Sequence, residues 1–164
     1  MYKEKKIIAI VGEIGVGKST ILDCLSLWGF DIIKMDDINK EISQSWLYKR
    51  KIKKECPFVS HIDNKKILAN VLFNNENLLK IVSNLAFPYI YKKFIKLVKK
   101  AHDIIIVEIP YNMNFEKISN LFDIIIEIQT SEKNQIERVI QRDGRTEFDI
   151  KNITTPTLNK QHIL

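Results

Sequence analysis

Gly12-Glu13-Ile14-Gly15-Val16-Gly17-Lys18-Ser19-Thr20 is the stretch that decides the fold. It fits G-x-x-x-x-G-K-[ST], the phosphate-binding loop pattern, at every fixed position. Its setting fits as well. Ile7-Ile8-Ala9-Ile10-Val11 leads in as a buried strand, and Ile21, Leu22, Leu25 and Trp28 follow at helical spacing. Strand, glycine loop, helix is the order the pattern needs. Glycines let the backbone curl until successive N–H groups point at phosphate oxygens, and the start of the next helix adds partial positive charge. Lys18 supplies a full charge for the outer phosphates, and the Ser19 hydroxyl suits Mg²⁺. Nucleotide binding is therefore expected at Gly12, Ile14, Gly15, Val16, Gly17, Lys18, Ser19 and Thr20. The bland alternative is a glycine-rich turn with no ligand. Four fixed residues in the right setting argue against it.

Outward from the loop, 164 residues suit one compact domain, and 45% hydrophobic residues suffice for a core. The net charge of +6 fits phosphate-bearing partners, although a chain rich in Ile, Lys and Asn also fits a biased genome. Cys24 and Cys56 form no metal-ligand cluster; a buried free thiol is expected at Cys24, and a reducing cytoplasm fits. No targeting segment and no membrane span are expected. No residue pattern speaks to oligomeric state.

Gly29 reads as a helix C-cap, and Phe30-Asp31-Ile32-Ile33 as a second strand that delivers Lys34-Met35-Asp36-Asp37 at its carboxyl end. Ligands of open parallel sheets bind at that end, so these acids are placed for chemistry; the bland alternative is a helix cap. Residues 38 to 100 carry helical spacing, with Ile67, Leu68, Val71 and Leu72 on one stripe and Ile90, Phe94, Leu97, Val98 and Ala101 on another. Pro88 is expected to start a helix. Lys49-Arg50-Lys51-Ile52-Lys53-Lys54 could touch nucleic acid or a polyphosphate; an exposed helix face is the favoured reading, because no aromatics interleave. Core packing is favoured for Trp46 and Tyr48 over a place in a cleft. Ile104-Ile105-Ile106-Val107 suits a central strand and ends on Glu108, where an acid can act near Mg²⁺ through water. Residues 123 to 128 read as another buried strand. A helix is expected over Ser131 to Arg142 with Ile136, Val139 and Ile140 inward and Gln135, Arg138 and Arg142 on one flank. Asp143-Gly144 reads as a turn, Thr146-x-x-Asp149 as a capping box, and the chain past Lys151 as loosely packed.

Several of these segments together resemble the dephospho-coenzyme A kinase family. Beside the loop, Gly29-Phe30-Asp31-Ile32-Ile33-Lys34-Met35-Asp36 is similar to its G-x-x-V-I-D-A-D, and residues 62 to 73 to its I-D-R-x-x-L-x-x-x-V-F. Leu85-Ala86-Phe87-Pro88 stands at its L-H-P and Val107-Glu108-Ile109-Pro110 at its L-D-I-P. Gln135-Ile136-Glu137-Arg138-Val139-Ile140-Gln141-Arg142-Asp143-Gly144 resembles its Q-x-x-R-x-x-x-R-D-G. The chain departs from the pattern at five places, one of them Val16, where the family has a small residue. Glu13 stands at a usual Gly, Lys34 at an acid, Phe87 at a histidine and Asn114 at the end of L-L-F-E. Against the family's A-Q element the chain has only Asn159-Lys160-Gln161-His162.

The resemblance implies an α/β fold of the P-loop NTPase type. Its parallel sheet and flanking helices would form a core over about 1–37 and 102–130. An inserted helical substrate lobe would span about 38–101, a small lid about 131–150, and a tail 151–164. It implies transfer of a phosphoryl group from ATP, with Mg²⁺, to the ribose 3′-hydroxyl of dephospho-coenzyme A. Asp36 would be the base, Lys18 would hold the phosphates, Ser19 would bind Mg²⁺ with Glu108 acting through water, and Arg142 would close from the lid. Nucleic acid and membrane are not expected partners. Two other readings stay open at this point: another nucleoside or nucleotide kinase of the same fold, and a degenerate nucleotide-binding protein with little turnover.

Overall fold

The computed structural model describes residues 5–62, 64–110, 113 and 118–143. The phosphate loop follows the first strand, β1 (Lys6–Val11), and leads into α1 (Lys18–Leu27). The chain continues through β2 (Asp31–Lys34), α2 (Met35–Gln44), α3 (Trp46–Glu55), α4 (Pro57–Ser60), α5 (Lys65–Phe73) and α6 (Glu76–Lys100). It then forms β3 (Ile104–Glu108), a 3₁₀ turn (Ser119–Leu121), β4 (Ile124–Glu127) and α7 (Glu132–Asp143). Two compact units result: Met1–Met35 with Lys100–Leu164, and Asp36–Lys99.

In the first unit the described strands form one parallel sheet in the order β2-β3-β1-β4, flanked by helices. Parallel pairing needs crossovers, which is why sequence neighbours are not sheet neighbours. The side-chain period of two assigns the faces of β1. Ile8 and Ile10 meet Leu22, Ile21 and Leu25 of α1, together with Ile32, Ile106 and Ile128. Ala9 and Val11, on the opposite face, are buried too. Both faces of β1 are thus covered, which is what an unbroken apolar run requires. α1 ends where Gly29 takes a left-handed φ of 88°. The Gly29 N–H bonds the Ser26 carbonyl and the Phe30 N–H the Leu25 carbonyl, so the last turn's acceptors are satisfied.

Five expectations need correction. Among the described strands β4 is the last in the sheet; only its Ile125 is buried, and Ile124 and Ile126 are exposed. Pro88 sits inside α6 rather than at its start. It occupies the thirteenth position of a 25-residue helix, where it lacks the N–H of one interior hydrogen bond. Cys24 is an exposed thiol and Cys56 the buried one. Trp46, 63% exposed at the start of α3 beneath the Arg50 guanidinium, is not a core residue. The inward face of α7 carries Gln135 and Val139, with Ile140 outside.

The second unit is helical. Ile52, Cys56 and Val59 form its centre with Tyr48, Leu68, Leu78, Val82 and Leu85 around them. Tyr48 stacks edge-on against Tyr89 at 6.1 Å, and burial pushes its hydroxyl up to about 12. The basic run lies on α3, where Ile52 is its one buried member; Lys49, Arg50, Lys53 and Lys54 are exposed. The Asp143-Gly144 turn, the Thr146 capping box, Asn114, Asp63 and the tail lie outside the described residues.

Two carboxylates fasten the sheet at its amino end. The Asp123 carboxylate accepts from the Ile7 N–H at 2.7 Å and meets the Lys6 ammonium at 3.3 Å. The Asp31 carboxylate accepts from the His102 N–H and lies 2.8 Å from His102 Nδ1. Backbone N–H donation is the main cause that lowers both carboxyls below the ordinary aspartate value. A lowered folded value adds stability above about pH 4, and that stability is lost as pH falls through the folded value. Asp123→Asn should therefore lower the melting temperature at pH 7, and the gap to the unmodified protein should close as pH falls below about 4. Melting curves of both proteins between pH 7 and 3 check this, and a constant gap would contradict it.

Candidate active site

β1 hands the chain to the loop at the carboxyl end of the sheet. Gly12, Gly15 and Gly17 all take positive φ, at 146°, 81° and 100°. Close approach fixes two of these positions as glycine. A Cβ on Gly12 would lie 2.5 Å from the Ile128 carbonyl oxygen. One on Gly15 would lie 2.5 Å from Val139 Cγ2 and 3.0 Å from the Gln135 carbonyl oxygen. The loop is therefore pressed between the end of β4 and α7.

The loop's carbonyls are held one by one. Lys18 Nζ donates to the Gly12 and Glu13 oxygens at 2.7 and 2.8 Å. Gln135 Nε2 donates to the Ile14 oxygen at 2.9 Å and to Glu13 Oε2 at 2.8 Å. Arg138 Nη1 donates to the Val16 oxygen at 3.3 Å. In a trans peptide the C=O and the following N–H point opposite ways. Fixing the Ile14 and Val16 carbonyls on the α7 side thus aims the Gly15 and Gly17 N–H groups away from it. Gly17 is also the N-cap of α1 and has no side chain with which to cap it.

Of the residues the sequence singled out, the loop from Gly12 to Thr20 is assembled as one structure in the first unit, with Ser19 and Thr20 exposed in the first turn of α1. Glu108 ends β3, in register with Ile10 of β1 and Lys34 of β2. Neighbours in parallel register share a sheet face, so the Lys34 ammonium and Glu108 carboxylate project on one side. Asp36 lies in the first turn of α2 with Asp37, both exposed; α2 begins at Met35, so neither aspartate is its cap. Arg142 lies in the last turn of α7. Phe87, at the position where the resemblance has a histidine, pairs with Tyr91 one turn on, at 6.0 Å between rings. The sequence reading put Gln135 and Arg138 on a flank of α7 and gave them no task; both grip the loop. The signal was present as Gln135-x-x-Arg138, but nothing in its spacing names a loop 120 residues away.

The family model for dephospho-CoA kinase (CoaE) matches residues 6–162. The chain belongs to the dephospho-CoA kinase family. A dephospho-CoA kinase of Rickettsia prowazekii is 30% identical over 147 residues, spanning 87% of this chain and 73% of the relative. One from Buchnera aphidicola subsp. Acyrthosiphon pisum is 30% identical over 155 residues, with 90% and 70% covered. Among solved structures, dephospho-CoA kinase from Campylobacter jejuni superposes with a TM-score of 0.59 at 26% identity, over 90% of this chain and 78% of that one. TT1252 from Thermus thermophilus superposes at 0.81 with 22% identity, over 92% and 79%, and so shares the fold. Kinases of this family use ATP as substrate, and the loop described above is the element suited to its phosphates.

Gly15→Ala tests the pressed loop. Left-handed backbone costs an L-residue about 1–2 kcal/mol before any clash, and the methyl group would also push against Val139 and the backbone of Gln135. The variant should melt lower and bind ATP much more weakly, as read by calorimetry. Unchanged ATP affinity would mean that the loop does not need this approach to α7.

Proposed function

We propose that the chain moves the γ-phosphoryl group of ATP to the ribose 3′-hydroxyl of dephospho-CoA, the last step of CoA synthesis, with Lys18, Asp36 and Arg142 as its working residues. The observation that carries this is the loop whose carbonyls are tied back, with the Gly15 and Gly17 N–H groups aimed away from α7, in a chain of the dephospho-CoA kinase family. Phosphoryl transfer needs little covalent help from a protein; positioning and charge stabilisation supply most of the rate.

Lys18, which donates to the Gly12 and Glu13 carbonyls, turns its ammonium to the β- and γ-phosphates when ATP is bound. Asp36 accepts the proton of the acceptor hydroxyl. Arg142 closes over the phosphates from the lid, residues 131–150. A helical substrate lobe over about residues 38–101 takes the acceptor, as the family resemblance implies. The residues present fit Mg²⁺: the Ser19 hydroxyl and the Glu108 carboxylate are hard oxygen donors, and this ion keeps several waters and nucleotide oxygens around one or two protein ligands. When bound, Mg²⁺ neutralises charge on the β- and γ-phosphates. No helix among the described residues is long and apolar enough to cross a membrane. The cytoplasm is the proposed compartment, in keeping with two free thiols.

The test is ADP release from purified protein with ATP and Mg²⁺, comparing dephospho-CoA with a panel of nucleosides and nucleotides. Release should require dephospho-CoA and vanish in Lys18→Ala. Asp36→Asn should keep ATP affinity and lower turnover about 10²–10⁴-fold, the range for a lost general base. Turnover with a nucleoside instead would reassign the acceptor. Unchanged turnover in Asp36→Asn would remove Asp36 as the base.

A further inference from the structure

Glu13 is an acid inside an anion-binding loop, at a position the loop pattern leaves free. A carboxylate there opposes a polyphosphate ligand unless something holds it. The structure shows what holds it. Gln135, 6% exposed on the inward face of α7, spends the two hydrogens of one amide nitrogen on Glu13 Oε2 and the Ile14 carbonyl. One bond is charge-assisted, so it is the stronger of the two. The other sets the peptide that aims the Gly15 N–H. Lys18 closes the same cycle through the Glu13 carbonyl.

We infer that Glu13 and Gln135 form a charged tie between the phosphate loop and α7, with Gln135 as a positioning residue for the loop, so that ATP affinity depends on how α7 is seated. Neither residue touches the reacting atoms in this scheme. The tie acts through the Gly15 amide and through the place of the Glu13 charge. Because α7 also carries Arg142 in its last turn, the tie links the phosphate loop to the element that bears the proposed closing arginine. This rests on ATP binding at the loop.

Charge exchange across the pair tests it. Gln135→Glu sets two carboxylates against each other and should weaken ATP binding about tenfold. Adding Glu13→Gln gives the carboxylate at position 135 a donor again but leaves the Ile14 carbonyl without its amide, so affinity should recover only in part, by about threefold over Gln135→Glu. Hydrogen exchange in the ATP-free protein should show the amides of residues 12–17 opening faster in Gln135→Glu and in Glu13→Ala, and slowing again in the double variant. Affinity and exchange that stay unchanged in Gln135→Glu, or a double variant no better than Gln135→Glu alone, would overturn the tie. If Gln135→Glu does not fold, unchanged loop exchange in Glu13→Ala overturns it by itself. Lys18→Ala separates the two claims. If it leaves ATP affinity intact, ATP does not bind at the loop, while the exchange of the ATP-free protein still decides whether the tie exists.

Discussion

The constraint on which this structure depends is the room left around the phosphate loop. The chain must leave β1, curl within six residues and enter α1, while the Ile128 backbone and Val139 press from either side. Only residues without a Cβ fit at Gly12 and Gly15, and both take positive φ. Once the loop is so confined, its carbonyls can be collected by Lys18, Gln135 and Arg138. The loop acquires its polarity from what grips it as much as from its own glycines.

The sheet makes this possible. β1 lies between β3 and β4, covered on both faces, so the point where the loop starts is among the most fixed in the molecule. The ladders run to its last residues: the Ile109 N–H bonds the Ile10 carbonyl and the Ile128 N–H the Val11 carbonyl. At the amino end, Asp123 and Asp31 each accept a backbone N–H from a neighbouring segment, which sets where β4 and β2 begin. The loop thus leaves a strand that is hydrogen-bonded on both sides up to its last residues.

The departures from the family pattern read differently once placed. Lys34 reverses a charge beside Asp36, yet its register partner is Glu108, so the sheet end carries opposite charges side by side. Phe87 gives up a polar ring and gains an aromatic neighbour in Tyr91. Glu13 brings a negative charge into the loop and meets a buried amide. Each of these three changes has a local partner.

The sequence by itself determined the strands, the phosphate loop and the helical character of residues 38 to 100, because these are written in short-range order: runs of β-branched residues, fixed glycine spacing and a period near four. It also carried the family, since Gly29 to Asp36 and Gln135 to Gly144 are contiguous motifs. Only the tertiary structure decided that Ile124 and Ile126 are exposed in a run as apolar as that of β3. It decided that Cys24, Trp28 and Trp46 face outward, and that Gln135 rather than Ile140 turns inward. The physical reason is the same in each case. Periodicity says that a face is apolar, whereas burial depends on which distant segment arrives to cover it. For α7 that segment is a loop whose bare carbonyls call for an amide and a guanidinium, a demand that no pattern within α7 records.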